Sequence, residues 1–176
     1  VIGMYSKEIG SNTSTTCLSC SIAKYSNKPG RSKCTGCPSG RYSTQFALND
    51  VRECQKCLPG RYSSIIGLTH VCTNGCPVGT FSSETGQTSS TTCQQCSAGT
   101  FSSEVGQTSI KTCKPCSAGK YSLNKGLTSD SQCLLCVQGK YSSEIGCSTP
   151  GNCYECLAGK YSKAKGLNSS TGCDTC

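Results

Sequence analysis

The stretch Cys96-Ser-Ala-Gly99-Thr-Phe101-Ser-Ser-Glu-Val-Gly106-Gln-Thr-Ser-Ile-Lys-Thr-Cys113-Lys-Pro-Cys116 decides the fold, because Cys116 begins the same pattern again. It continues Ser-Ala-Gly119-Lys-Tyr121-Ser, then Gly126, Cys133 and Cys136. An aromatic residue followed by serine recurs at Tyr5, Tyr25, Tyr42, Tyr62, Phe81, Phe101, Tyr121, Tyr141 and Tyr161. The steps between them are 20, 17, 20, 19, 20, 20, 20 and 20 residues. A fixed period of this length marks an array of small supersecondary units, none of which can bury a core alone.

The period divides the chain into nine repeats: residues 1–19, 20–36, 37–56, 57–75, 76–95, 96–115, 116–135, 136–155 and 156–176. In each later repeat a cysteine lies five residues before the aromatic. That spacing puts one just ahead of Val1, so repeat 1 reads as shortened at its N-terminus and the sequence as a window on a longer array. Repeat 3 is the most divergent, with Ala47 in place of a framework glycine and an extra aromatic, Phe46, expected to pack on a neighbour or to serve as a binding hot spot. Ala23 replaces the other framework glycine in repeat 2, where the backbone is expected to avoid positive φ or to turn differently.

Composition explains why the units need staples. The hydrophobic fraction is 34%, but that includes 19 cysteines. Without them roughly a quarter of the chain is apolar, near the lower limit for a globular core. Nine of the eleven Tyr and Phe residues occupy the one repeated site. Little area is left to offset a backbone entropy of about 1 to 2 kcal/mol per residue. Cysteine at this density signals a disulfide scaffold in an oxidising compartment. No stretch approaches the length of a membrane span, and no signal peptide is visible.

Three chemistries compete for the C-x-x-C pairs. Their spacing overlaps that of zinc ribbons, but the sequons Asn12-Thr-Ser and Asn168-Ser-Ser point to a secretory route and glycosylation at both asparagines. A thioredoxin-type redox site needs a βαβ context that is absent. Structural disulfides remain, with no metal and no cofactor. Two pairings are open: a ladder within each repeat, or an interlocked scheme such as Cys93–Cys113 with Cys96–Cys116. The single-repeat period favours the ladder, which pairs Cys20–Cys34, Cys37–Cys54, Cys57–Cys72, Cys76–Cys93, Cys96–Cys113, Cys116–Cys133, Cys136–Cys153 and Cys156–Cys173. Each loop then contributes about 3 kcal/mol in the chain-entropy model. Cys17 and Cys176 look beyond this window for partners. Cys147 is left over, in a polar segment expected to be exposed, and is a candidate for an inter-chain disulfide.

The expected fold is therefore a small disulfide-rich repeat array: an elongated stack of units of about 20 residues with short β-hairpins and almost no helix. The Lys-Tyr-Ser-Ser and Thr-Thr-Cys runs are expected to pair as the hairpin strands. The aromatic ring should lie over a disulfide or the next repeat, burying area worth about 1.5 to 3 kcal/mol.

Net charge is +8, and basic residues precede the framework aromatic at Lys24, Arg41, Arg61, Lys120, Lys140 and Lys160. They read as a solvated ladder, or as a stripe that attracts anionic polysaccharide. Nucleic acid does not suit an oxidising, extracellular setting. The only histidine, His70, has no carboxylate partner nearby, and no carboxylate pair, Ser-His-Asp set or phosphate-cradling loop suggests an enzyme.

The string Cys-x-x-Gly-x-Tyr/Phe-Ser…Gly…Cys-x-x-Cys resembles the ephrin-receptor-like cysteine-rich repeat, akin to the modules of tumour necrosis factor receptors. It covers essentially the whole chain, with Ala23 and Ala47 as departures. The resemblance implies an extracellular or cell-surface setting and a structural or interaction role, without a specific ligand or catalytic residues. Near-identical repeats favour a structural protein that self-associates into a glycosylated filament, surface hair or coat. The alternative is the stalk or ligand platform of a receptor or adhesion protein.

Overall fold

A computed structural model describes residues 1–10 and 13–176. The sequon asparagine Asn12 lies outside the described residues. Among those described there is no α-helix; nine two-stranded antiparallel hairpins follow one another along the chain, with seven single-turn 3-10 segments between strands. The chain divides into two compact units, Val1–Gly75 with Ser83–Thr92, and Cys76–Ser82 with Cys93–Cys176.

Repeat 7 shows how one repeat is built. Lys120–Tyr121 pairs with Leu134–Leu135, Tyr121 opposite Leu134. Gly119, at φ +79°, turns the chain into the first strand, and its carbonyl accepts from the Cys136 N–H at 2.9 Å. Ser129 caps the 3-10 turn Asp130–Gln132 in a capping box with Gln132. The Cys133 N–H then bonds the Asp130 carbonyl at 3.1 Å. The Cys116–Cys133 disulfide closes the repeat.

The expected second strand is corrected here. The Thr-Thr run of repeat 5 forms the 3-10 turn Ser90–Thr92, and the strand is the pair Gln94–Gln95 inside the C-x-x-C. Hydroxyl side chains satisfy backbone groups at such turns, as Thr92 Oγ1 does by donating to the Ser89 carbonyl at 2.6 Å, so Ser and Thr favour caps over strands here.

Eight disulfides stand in tandem in the ladder pairing, from Cys20–Cys34 to Cys156–Cys173. With them goes most of the core. Phe81 of repeat 5, only 6% exposed, packs on Cys96 and Cys113 of repeat 6. Phe101 packs on Cys116, Cys133 and Leu127 of repeat 7, and Tyr42 on Cys57, Cys72 and Leu68 of repeat 4. Tyr25 does the same on Cys37 and Cys54 of repeat 3, so in these four repeats the ring covers the disulfide of the following repeat. Tyr161, with no following disulfide in this sequence, is 43% exposed.

Candidate interaction surface

A seam of backbone hydrogen bonds joins each repeat to the next. Between repeats 7 and 8, the Gly119 N–H donates to the Ser142 carbonyl at 2.8 Å. The Ser122 N–H donates to Cys147 at 2.9 Å, and the Gly146 N–H donates back to Cys116 at 2.9 Å. Repeats 3 and 4 repeat the set: Gly40 to Ser63 at 2.7 Å, Ser43 to Leu68 at 3.1 Å and Gly67 to Cys37 at 2.7 Å. The serine after each aromatic is buried from Ser26 through Ser162. Its hydroxyl is consumed locally: Ser122 Oγ accepts from the Asn124 N–H at 3.1 Å and lies 3.3 Å from the Asn124 carbonyl. Sequence reading saw these serines recur without assigning them a role; the signal was their strict coupling to the aromatic.

The seam reaches further than nearest neighbours. A Cβ on Gly119 would lie 2.2 Å from the Gly166 carbonyl oxygen of repeat 9, and one on Gly99 would lie 2.3 Å from that of Gly146 in repeat 8. Repeat 3 does the same in the other unit, Gly40 meeting Gly86 at 2.1 Å. Backbone of one repeat touches backbone of the next but one, and only a residue without a side chain fits between them.

The expectation that the backbone at Ala23 avoids positive φ is also corrected. Ala23 and Ala47 adopt positive φ, 57° and 54°, like the sixteen framework glycines. The seam adjusts at Ala23, whose N–H reaches Gln45 at 3.3 Å, two residues past the regular acceptor Ser43.

The basic ladder is largely turned inward on its own repeats. Arg41 donates to the Cys54 carbonyl at 2.8 Å and Arg61 to Thr73 at 2.6 Å. Lys120 pairs with Asp130, and Lys140 lies 3.6 Å from Glu155. Burial pushes the Asp130 carboxyl up, but Lys120 and the Ser117 N–H together hold it below its ordinary value.

Cys147 departs furthest from expectation. It is 4% exposed, not displayed, because it occupies the place of Leu127 and Leu167 one step after the framework glycine. Its Sγ lies 3.4 Å from Ser142 Oγ and donates to the Glu144 carbonyl at 3.6 Å. A thiol packed there cannot reach a second chain while the repeat is folded. Phe46, by contrast, is 64% exposed and does not pack on a neighbour. His70 is exposed, with Nδ1 2.9 Å from the Val71 carbonyl. Asn168 is exposed, just ahead of the Ser169-capped turn Ser170–Gly172. One trio, Cys116, Asp130 and Cys133, clusters at metal-ligand distances among the described residues, but its two sulfurs are bonded to each other and offer no thiolate. No helix among the described residues is long and apolar enough to cross a membrane.

No protein-family model matches the chain, and no curated protein matches it significantly.

Proposed function

We propose that this chain is a building block of an extracellular, glycosylated filament, surface hair or coat. The observation behind this reading is the seam. The same backbone bonds, the same ring-on-disulfide packing and the same glycine contact recur from repeat to repeat with little dependence on which exposed side chains a repeat carries. Stability in such an array is a sum of local terms and neighbour terms, so it extends without a limiting size. Eight disulfides in tandem favour a secreted or extracellular setting, where covalent closure persists. Glycans at Asn12 and Asn168 suit that setting. A ligand platform would need one repeat with a distinct, concave and convergent site. Repeat 4 comes nearest, where Leu58, Arg61, Val71 and Thr73 with Tyr42 line an open groove of about 340 Å3. Electron microscopy of the native, non-reduced protein tests the reading: filaments or regular sheets are expected, and a uniform population of dispersed monomers would reject it.

A further inference from the structure

Repeat 2 has the shortest loop of the ladder, a cysteine separation of 14 against 17 in six other repeats. The missing residues are those that elsewhere form the 3-10 turn, and repeat 2 has none. This matters for its ladder lysine. In repeat 7 the turn supplies Asp130 to Lys120, whereas the Lys24 ammonium has no hydrogen-bond or ion-pair partner among the described residues. Shortening the loop also brings the closing segment Ser32-Lys33-Cys34 up to the same spot. Lys7 of repeat 1 completes the convergence.

The result is a half-open cleft of about 240 Å3 lined by Tyr5, Lys7, Ser21, Lys24, Ser32 and Lys33. Three lysines and three hydroxyl-bearing residues line it, and no carboxylate residue does. Across residues 1–36 the sequence sets Lys7, Lys24, Lys28, Arg31 and Lys33 against Glu8 alone. The cleft lies just under the roughly 300 Å3 at which pockets for drug-sized ligands begin, which suits one sugar ring and its anionic substituent.

We propose that this cleft binds a sulfated oligosaccharide. Uncompensated charge in a concave site concentrates anions. Lysines act as point charges for a rotating sulfate rather than as bidentate forks, and the hydroxyls match those of a sugar. Flat aromatic faces for stacking bases are lacking, since Tyr5 is the one ring present and is half-buried. The inference rests on the secreted setting and not on filament formation, so electron micrographs and binding data can fail separately.

The test is a titration of the full, non-reduced chain with a dextran sulfate oligosaccharide, with neutral dextran of equal length and inorganic polyphosphate of matched charge as comparators. Replacing Lys7, Lys24 and Lys33 together by Gln should weaken dextran sulfate binding by about tenfold or more, the sum of three exposed ion contacts. The same charge removed at the exposed Lys125, Lys163 and Lys165 should change it by less than about twofold. Raised salt should weaken the wild-type complex. Absence of dextran sulfate binding, equal losses in the two triple variants, or equal affinity for neutral dextran would overturn the site. Equally tight binding of polyphosphate would overturn the saccharide assignment.

Discussion

Gly119 and Gly30 both hold positive φ, +79° and +73°, but only Gly119 has a backbone carbonyl within 4 Å of the missing Cβ. Gly30→Ala should therefore cost about 1 kcal/mol for the left-handed backbone alone. Gly119→Ala adds a clash with backbone, which cannot swing aside, and should cost about 2 kcal/mol or more. Amide exchange at Ser122 and Gly146 reads the difference locally; equal protection in the two variants would show that the repeat 7 to repeat 9 contact is unimportant. Cys147 offers a second check. Maleimide should label it only after denaturation. Cys147→Leu, which restores the residue found at positions 127 and 167, should stabilise repeat 8 by about 1 kcal/mol. Rapid native labelling would contradict its burial. The sequence marked Cys147 as odd in number but not as buried, because the Gly-Cys-Ser-Thr-Pro-Gly run is polar around it and the one-residue offset from glycine is what decides the side it faces.

Within a repeat, the disulfide and the hairpin do different work. The disulfide limits the unfolded ensemble, whereas a two-residue hairpin is marginal by itself and depends on the seam to persist. The regular spacing of cysteine, glycine and aromatic made the closed loop and the ring-on-disulfide packing legible in advance. The choice of second strand was not legible, since Thr-Thr has strand propensity and only the capping geometry of its hydroxyls turns it into a 3-10 segment. Asp130 is the strongest side-chain clamp of this kind, held by Lys120 and by the Ser117 N–H at 2.7 Å. Asp130→Asn should destabilise repeat 7 by about 1 kcal/mol at neutral pH. The folded carboxyl binds its proton less readily than the unfolded one, whose ordinary value is 3.8. Its contribution is thus complete above that value and is lost as pH falls below it through the lowered folded value. Urea midpoints of wild type and variant, compared at pH 7 and at pH 2, should converge at the lower pH. A difference that stays constant would mean that the charge of Asp130 is not what matters.

For the array as a whole, the architecture follows from one assignment: each cysteine pair closes its own repeat, so the rings, serines and glycines of successive repeats meet in a fixed register. The period and the even loop lengths favoured that assignment over the interlocked one. The contact between backbones two repeats apart could not be read from the period, because it depends on how far each hairpin turns relative to the last, a rotation set by backbone geometry rather than by residue type. Peptide mapping of the native, non-reduced protein tests the assignment directly. Cleavage at the lysines and arginines, followed by mass spectrometry before and after reduction, should recover the peptide 112–120 joined both to the peptide carrying Cys96 and, through Cys116 and Cys133, to the peptide 126–140, as the structure pairs them. The interlocked scheme leaves 112–120 and 126–140 unlinked. Recovery of Cys93 linked to Cys113 together with Cys96 linked to Cys116 would contradict it.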